Sequence, residues 1–201
     1  MTDWRQAEFL PVTAERWDDL VRLFGERGAC GGCWCMWWRV KRLEFERQKG
    51  TGNRQALQHI VFSGEAPGLL AYAPLPGGER APAGWVSVAP RAAFPALERS
   101  RILKPVDDLP VWSVVCFFVD KAYRRQGLTV ALLNAAAEYA FANGAEIVEG
   151  YPKDATAGPQ PDAFMFTGLM TAFQQAGFTE AARRSPTRPI MRRYREGKHH
   201  E

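Results

Sequence analysis

Val111-Trp112-Ser113-Val114-Val115-Cys116-Phe117-Phe118-Val119 is a run of nine residues with a single polar member, Ser113. Such continuity marks a central strand buried on both faces, since a half-exposed strand would alternate. Asp120-Lys121-Ala122-Tyr123-Arg124-Arg125-Gln126-Gly127 follows directly. Leu128, Ala131, Leu132, Ala135 and Tyr139 then trace the inner face of a helix that Asn143-Gly144 stops. Ala145–Tyr151, with Ile147-Val148 at its heart, supplies another strand. Strand, helix and strand in that order make a β-α-β unit, which implies two parallel strands joined by a right-handed crossover.

Upstream, Phe9–Val12 reads as a short strand. Thr13 caps a helix with Trp17, Leu20, Val21 and Phe24 on one stripe, ended by Gly25. Asn53 is placed to cap a second helix whose buried face holds Leu57, Ile60 and Val61. Gly68–Ala73 and Gly84–Ala89 read as strands, and the two Gly and three Pro of Pro74–Ala83 favour a hairpin-type connection between them. Residues 90–110 are punctuated by proline and match no period. Downstream, a loop at 152–161 leads to a helix over Phe164–Ala176 ended by Gly177, then a strand pair, Phe178–Ala182 and Pro189–Tyr194. The expectation is one α/β domain over residues 1–201, a mixed central sheet with flanking helices.

Composition narrows the function classes. The chain has 201 residues, 46% hydrophobic and 12% aromatic with seven Trp, which is too aromatic for disorder and long enough to bury one substantial core. No apolar run reaches the roughly 18 residues a membrane span needs. The opening Met1-Thr2-Asp3-Trp4-Arg5 lacks the layout of a signal peptide, so a cytoplasmic protein with no membrane partner is expected. A net charge of +4 permits an anionic partner. Much of the excess lies in Arg183, Arg184, Arg188, Arg192, Arg193, Arg195 and Lys198, without a nucleic-acid-binding module beside it, so nucleic acid is not an expected partner. That run reads as protection of edge strands and a solvated tail, or as a contribution to a phosphate-bearing ligand.

The turn between the long strand and its helix carries the chemistry. A helix start presents N–H groups without intrahelical partners, and the macrodipole adds positive potential there. An anion such as a pyrophosphate is stabilised at that point. Gly127 lets the backbone approach it without a Cβ in the way, and Arg124 and Arg125 add charge.

A hydrophobic strand, then [Gln/Arg]-x-x-Gly-x-[Gly/Ala], then a helix resembles the signature of the GNAT superfamily of acyl-CoA-dependent N-acyltransferases. Arg124-Arg125-Gln126-Gly127-Leu128-Thr129 occupies the motif, with Thr129 where Gly or Ala is usual. The following helix, the Ile147-Val148 strand and Phe173-Gln174-Gln175-Ala176-Gly177-Phe178 lie in the family's order, so the resemblance spans Trp112 to Phe178. It implies a GNAT-like fold with a cofactor-binding core over about 109–180.

The resemblance further implies acetyl-CoA, or another acyl-CoA, as co-substrate. The amides of Arg125, Gln126, Gly127, Leu128 and Thr129 would hold the pyrophosphate. The pantetheine arm would run along the edge of Phe117, Phe118 and Val119, where a backbone N–H polarises the thioester carbonyl. An amine would attack directly in a ternary complex, without an acyl-enzyme. Superfamily members often place a Tyr four residues before the Gly of the Gly177-Phe178 pair, to protonate the departing thiolate. Phe173 stands there with no proton to give, and is expected to pack against the cofactor or the core. Glu149 and Tyr151 differ by two on one strand and share a face, as candidates for proton handling or as an ordinary strand-end carboxylate and a half-buried tyrosine. Asp120 reads as a turn residue, and Cys116, with no His nearby in sequence, as a buried core thiol.

Four cysteines without an export signal argue for reduced thiols. Cys30-x-x-Cys33-x-Cys35 is one ligand short of a structural zinc set; a fourth would have to come from Cys116, His59, His199 or His200, and no second Cys-x-x-Cys completes it, so no metal is expected. Trp34, Trp37 and Arg39, after Gly31-Gly32, are candidates for an acceptor pocket suited to an aromatic, cationic or carboxylate-bearing amine, or for a Trp-rich corner of the core. The Cys33–Arg39 segment resembles that of a bacterial subgroup of the superfamily and names no substrate. The sequence thus reads as an acyltransferase moving an acetyl or short acyl group to a small-molecule or peptide amine. Its rivals are a non-catalytic acyl-CoA sensor, which Phe173 favours, and a zinc-stabilised or redox-responsive interaction protein built on Cys30–Cys35. Superfamily members are often dimers, and no segment here advertises an interface.

Overall fold

The computed structural model describes residues 3–155 and 166–197. Seven strands form one sheet: β1 (Glu8–Pro11), β2 (Gly68–Pro74), β3 (Arg80–Pro90), β4 (Trp112–Val119), β5 (Ile147–Gly150), β6 (Thr179–Arg183) and β7 (Pro189–Tyr194), in the order β1-β2-β3-β4-β5-β7-β6. β4 and β5 pair in parallel and every other neighbour pairs antiparallel. Between them runs α5 (Leu128–Ala142), so the β-α-β unit stands where its hydrophobic pattern places it.

The parallel contact is short. Only Trp112↔Val148, Ser113↔Glu149 and Val114↔Gly150 are in register. At the next residue β4 bulges against β3, with Ser87 facing Cys116 and Val88 facing Val114, so that Val115 has no β3 partner. A bulge bends its strand and increases the local twist. Beyond it, Cys116–Val119 stays with β3 while the chain after Gly150 turns elsewhere, which opens the sheet between its two parallel strands.

Each sheet face carries its own core. On one side Val86, Val88, Val114 and Val148 meet Leu132, Ala136 and Ala140 of α5, together with Phe173 of α6 (Met170–Gln175). Gly84 permits that approach, since a Cβ there would lie 2.9 Å from Leu128 Cδ2. On the other side Leu70, Trp85 and Val115 meet Leu20 and Phe24 of α1 (Trp17–Phe24), Leu57 of α3 (Thr51–Phe62), and Trp34 from the irregular segment that leads from α1 to the short α2 (Arg42–Arg47). Each buried Val, Leu or Phe among them contributes about 1.5–3 kcal/mol relative to exposure.

Several elements depart from expectation for identifiable reasons. α3 starts at Thr51, two residues before Asn53, whose buried amide instead donates to the carbonyls of Gly32 (3.1 Å) and Phe45 (3.5 Å) and ties the helix to the irregular segment. Thr13 makes no side-chain cap; its Oγ1 accepts from Arg16 Nη1, and a 3-10 turn, Ala14–Arg16, leads into α1. The β2–β3 connection shrinks to a turn closed by Leu75 N–H donating to Glu79 O at 2.8 Å. Within 90–110 lie a 3-10 turn, Arg91–Ala93, and α4 (Pro95–Glu98). α6 is shorter than predicted, and residues 156–165 of the expected loop and helix lie outside the described residues.

The C-terminal arginines also differ from a solvated run. Arg192 is 3% exposed, Arg183 pairs with Asp154 and Glu180, and Arg193 pairs with Glu138. Arg184 donates to the carbonyls of Lys104 and Pro105. Among the described residues no helix is long and apolar enough to cross a membrane.

Candidate active site

The turn from β4 into α5 is built from two left-handed residues, Arg125 (φ +59°) and Gly127 (φ +84°), the latter capping the helix. Val130 and Ala131 N–H donate to Gly127 O, so the N–H groups of Leu128 and Thr129 precede the first intrahelical bonds. Unpaired amides beside left-handed residues form a concave donor surface suited to an anion. Side chains lock the turn from outside. Trp4 Nε1 donates to Gln126 O at 2.6 Å, Gln126 Nε2 to Ala122 O at 2.9 Å, and Arg124 Nε to Val119 O at 3.1 Å. Asp120 accepts from Ala122 N–H, the turn role its position predicts.

A cavity of about 460 Å³ lies between this turn and the free edge of β4. Phe117, Phe118, Val119, Arg124, Arg125 and Thr129 line it, facing Leu169 and Ala172. Of the other residues expected at the cofactor, Gln126 and Gly127 shape the turn, and Leu128 is buried in the α5 core. Phe173 is fully buried, edge-on to Phe117 at 6.2 Å and to Phe178 at 5.1 Å, so of its two predicted settings it takes the core. Phe117 N–H points away from β3 and donates to Phe166 O at 2.7 Å. Backbone alternation aims Val119 N–H to the same side, since Asp120 N–H turns back to Ala83 of β3.

A second cavity, of about 410 Å³, adjoins the first and shares Ala29, Cys30, Phe117, Phe118 and Phe166 with it. Trp37, Trp38, Phe45 and the thiols of Cys33, Cys35 and Cys116 supply its walls, and Arg42, Glu46 and Lys49 are its solvent-exposed charged members. Its outer wall follows no helical or strand period because the backbone there is unusual: Gly28, Ala29, Gly31, Gly32, Trp34 and Cys35 are all left-handed. For the three that are not glycine this costs about 1 kcal/mol or more each, offset by packing. Cys35 Sγ lies 3.3 Å from Cys116 Sγ and accepts from Trp85 Nε1 at 3.0 Å. The hydrogen bond to Cys116 and burial push the Cys35 thiol well up, and the hydrogen bond to Cys35 and burial do the same for Cys33. Both are therefore neutral lining at physiological pH. Among the described residues no three His, Cys, Asp or Glu side chains gather as a metal site.

The three residues predicted to face an acceptor separate. Trp37 lines the second cavity, with its ring 5.1 Å from Phe45 and the Arg42 guanidinium 4.5 Å above it. Trp34 does not line it. It packs into the core against Trp17 and Phe24, with Gly28 leaving the space its indole fills. Arg39 lines neither cavity: it donates to Pro67 O and lies 4.6 Å over Phe94, and burial pushes its pKa down to about 10. Arg42, three residues further on, is the arginine at the cavity.

Glu149 and Tyr151 share a face as predicted, but neither lines either of these two cavities. Glu149 Oε1 accepts from Arg91 Nη1 (3.0 Å) and Tyr151 OH (2.7 Å), and its Oε2 accepts from Arg192 Nε (2.7 Å). Tyr151 OH also accepts from Arg91 Nη1 and bonds with Ser113 Oγ. Burial and the neighbouring Glu149 hold the Tyr151 hydroxyl well above its usual range, so it stays protonated. Against the desolvation of its burial, bonds to Asp107 and Glu149 raise Arg192 above the ordinary arginine value. Sequence reasoning missed both arginines. The only signal for Arg192 was its place in a C-terminal strand, which turns out to set it directly across from Glu149.

The acetyltransferase (GNAT) family model matches residues 34–154. The match covers more than half of the sequence, and the chain belongs to the GNAT acetyltransferase family. No curated protein matches it in sequence. Among solved structures it is similar in fold to a GNAT-family acetyltransferase from Streptococcus agalactiae, with 11% identity, a TM-score of 0.54, and 98% and 99% of the two chains covered. It is also similar to a "histone acetyltransferase HPA2 and related acetyltransferase" from Corynebacterium glutamicum (17% identity, TM-score 0.51, 96% of each chain). A third is the NatC complex bound to Gag peptide and CoA (9%, TM-score 0.52, 94% of this chain and 98% of that one).

Proposed function

We propose that the protein is an N-acetyltransferase that moves an acetyl or short acyl group from acyl-CoA to an amine in a ternary complex, with its cofactor-binding core over about 109–180 of a single domain. The observation that carries this reading is the meeting of two cavities at Phe117 and Phe118, one beside an amide-lined turn and the other walled by aromatic rings and thiols. The residues of the first cavity fit acyl-CoA. The free amides of Leu128 and Thr129, with Arg124 and Arg125, offer donors and charge to its phosphates. Bound there, acyl-CoA supplies an activated thioester. Phe117 N–H, on the edge of β4, is the donor placed to stabilise a developing oxyanion once Phe166 O releases it. The bound CoA of the NatC structure supports the co-substrate by analogy.

Glu149 and Tyr151 serve as anchors between β4, β5 and β7 rather than as acid and base, since their polar atoms are occupied within the core. A sensor that binds acyl-CoA without transferring its acyl group is the second reading, favoured by Phe173, which is buried and has no proton to give. Calorimetric titration with acetyl-CoA, coenzyme A and dephospho-coenzyme A tests the cofactor assignment. Micromolar binding is expected, weaker for the dephospho form if a basic contact reaches the 3′-phosphate. Absence of binding to all three refutes the reading, and binding without turnover across a broad amine panel selects the sensor.

A further inference from the structure

The second cavity constrains which amine can be acylated, an inference that rests on the reading above. An alkylamine arrives at neutral pH as an ammonium, with a pKa near that of lysine, roughly 10.4, and must lose a proton before it can attack. Among the described residues lining this cavity there is one carboxylate, Glu46. Its Oε1 is held by Arg42 Nε at 2.8 Å and its Oε2 by Lys49 Nζ at 2.6 Å. Those partners keep its pKa below the usual glutamate value, which makes it a poor base. One carboxylate and two cations also leave a net positive charge, which repels an ammonium.

Aromatic rings could in principle compensate a cation. Here the rings nearest the exposed end each already hold a cation over one face, Trp37 the Arg42 guanidinium at 4.5 Å and Phe45 the Lys49 ammonium at 5.7 Å. That weakens their attraction for a second cation and leaves the rest of their surface for an uncharged ring. What remains is apolar surface and thiols, those of Cys33 and Cys35 held protonated, where an unpaired charge is strongly disfavoured.

We propose that the acceptor is an aromatic primary amine whose nitrogen is already uncharged at neutral pH. Its ring matches the surfaces of Trp37, Trp38 and Phe118, and a cavity of about 410 Å³ holds a ligand of that size. The nitrogen lone pair forms the C–N bond to the thioester carbonyl carbon. The C–S bond breaks, and its electron pair leaves on the coenzyme A sulfur. The proton on nitrogen, made acidic by acylation, passes to solvent or to that thiolate, giving the amide and free coenzyme A. No resident base is required.

The test pairs 4-methoxyaniline with 2-phenylethylamine, which is similar in size but cationic, using the full chain and acetyl-CoA, with the amide measured by mass spectrometry over about pH 6 to 9. The arylamine is expected to lead by at least about tenfold in kcat/KM, with a flat pH profile. Trp37→Ala is expected to raise its KM while calorimetric acetyl-CoA affinity holds, and Trp37→Phe to restore most of the loss. A preference for phenylethylamine overturns the inference. So does an arylamine rate climbing steadily with pH, which would reveal a base. Binding of acetyl-CoA with no acylation of the arylamine also overturns it while leaving the cofactor site standing; failure to bind acetyl-CoA at all overturns the parent reading instead.

Discussion

Replacing Glu149 with Gln separates a structural carboxylate from a catalytic one. The side chain has no exposed surface, and three donors converge on it: Arg91 Nη1, Tyr151 OH and Arg192 Nε. Glutamine keeps the shape but removes the charge and turns one acceptor into an N–H₂ group facing a donor. Removing one partner of a buried ion pair costs about 3–5 kcal/mol. Both cations keep another carboxylate, Arg192 through Asp107 and Arg91 through Glu98, which places the loss near the lower end, about 3 kcal/mol. With a urea m-value of roughly 1–3 kcal/mol/M, the unfolding midpoint should fall by about 1–3 M. Acetyl-CoA affinity, measured by calorimetry under native conditions, should remain close to that of the parent. A variant that unfolds at the parental midpoint yet no longer acylates an amine would refute this reasoning and return Glu149 to the reaction.

Gly127→Ala has room for its methyl group, since the nearest atom is Trp4 Cδ1 at 4.0 Å, so only the positive φ penalises it. A loss of about 1–2 kcal/mol by urea unfolding is expected, with weaker acetyl-CoA binding. Gly150→Ala places Cβ 2.0 Å from Phe173 Cε1 and should cost about 3 kcal/mol by the same measurement, the top of the usual overpacking range. The Arg192 hydrogen bond holds Asp107 below its ordinary value of 3.8, so its contribution to stability is complete above that pH and is lost as acid carries the protein through the lower folded value. The midpoint should therefore fall in that acid window, and less so in Asp107→Asn. Cys30 is the exposed thiol and borders both cavities, so N-ethylmaleimide should label it first, and acetyl-CoA should slow that labelling as read by peptide mass.

The β-α-β core was legible because its signals are local: a strand with one polar residue in nine, a glycine before a helix, and Asn143-Gly144 after it. The bulge at Val115 was not, because it exists only in register with Ser87 and Val88. Period-two spacing correctly put Glu149 and Tyr151 on one face. What they face is decided by β7, about 40 residues later, where strand register brings in Arg192. The Cys–Trp segment resisted reading for a different reason. Six left-handed residues between Gly28 and Cys35 destroy any periodicity, so nothing local distinguishes core-bound Trp34 from cavity-lining Trp37, or Arg39 from Arg42. Trp4, which clamps the turn through Gln126 O, lies 122 residues away in sequence from its partner.

The carbonyl of Phe166 already satisfies the N–H of Phe117 before any ligand arrives. On the proposed placement, a thioester arm that takes over this donor trades one hydrogen bond for another, so the reactive end of acetyl-CoA adds little net affinity. The nucleotide end, against the amides and arginines of the turn, must then carry most of it. Truncated pantetheine thioesters would be poor donors for that reason. Spent coenzyme A keeps the whole nucleotide end and would therefore compete strongly with the acylated form as a product inhibitor.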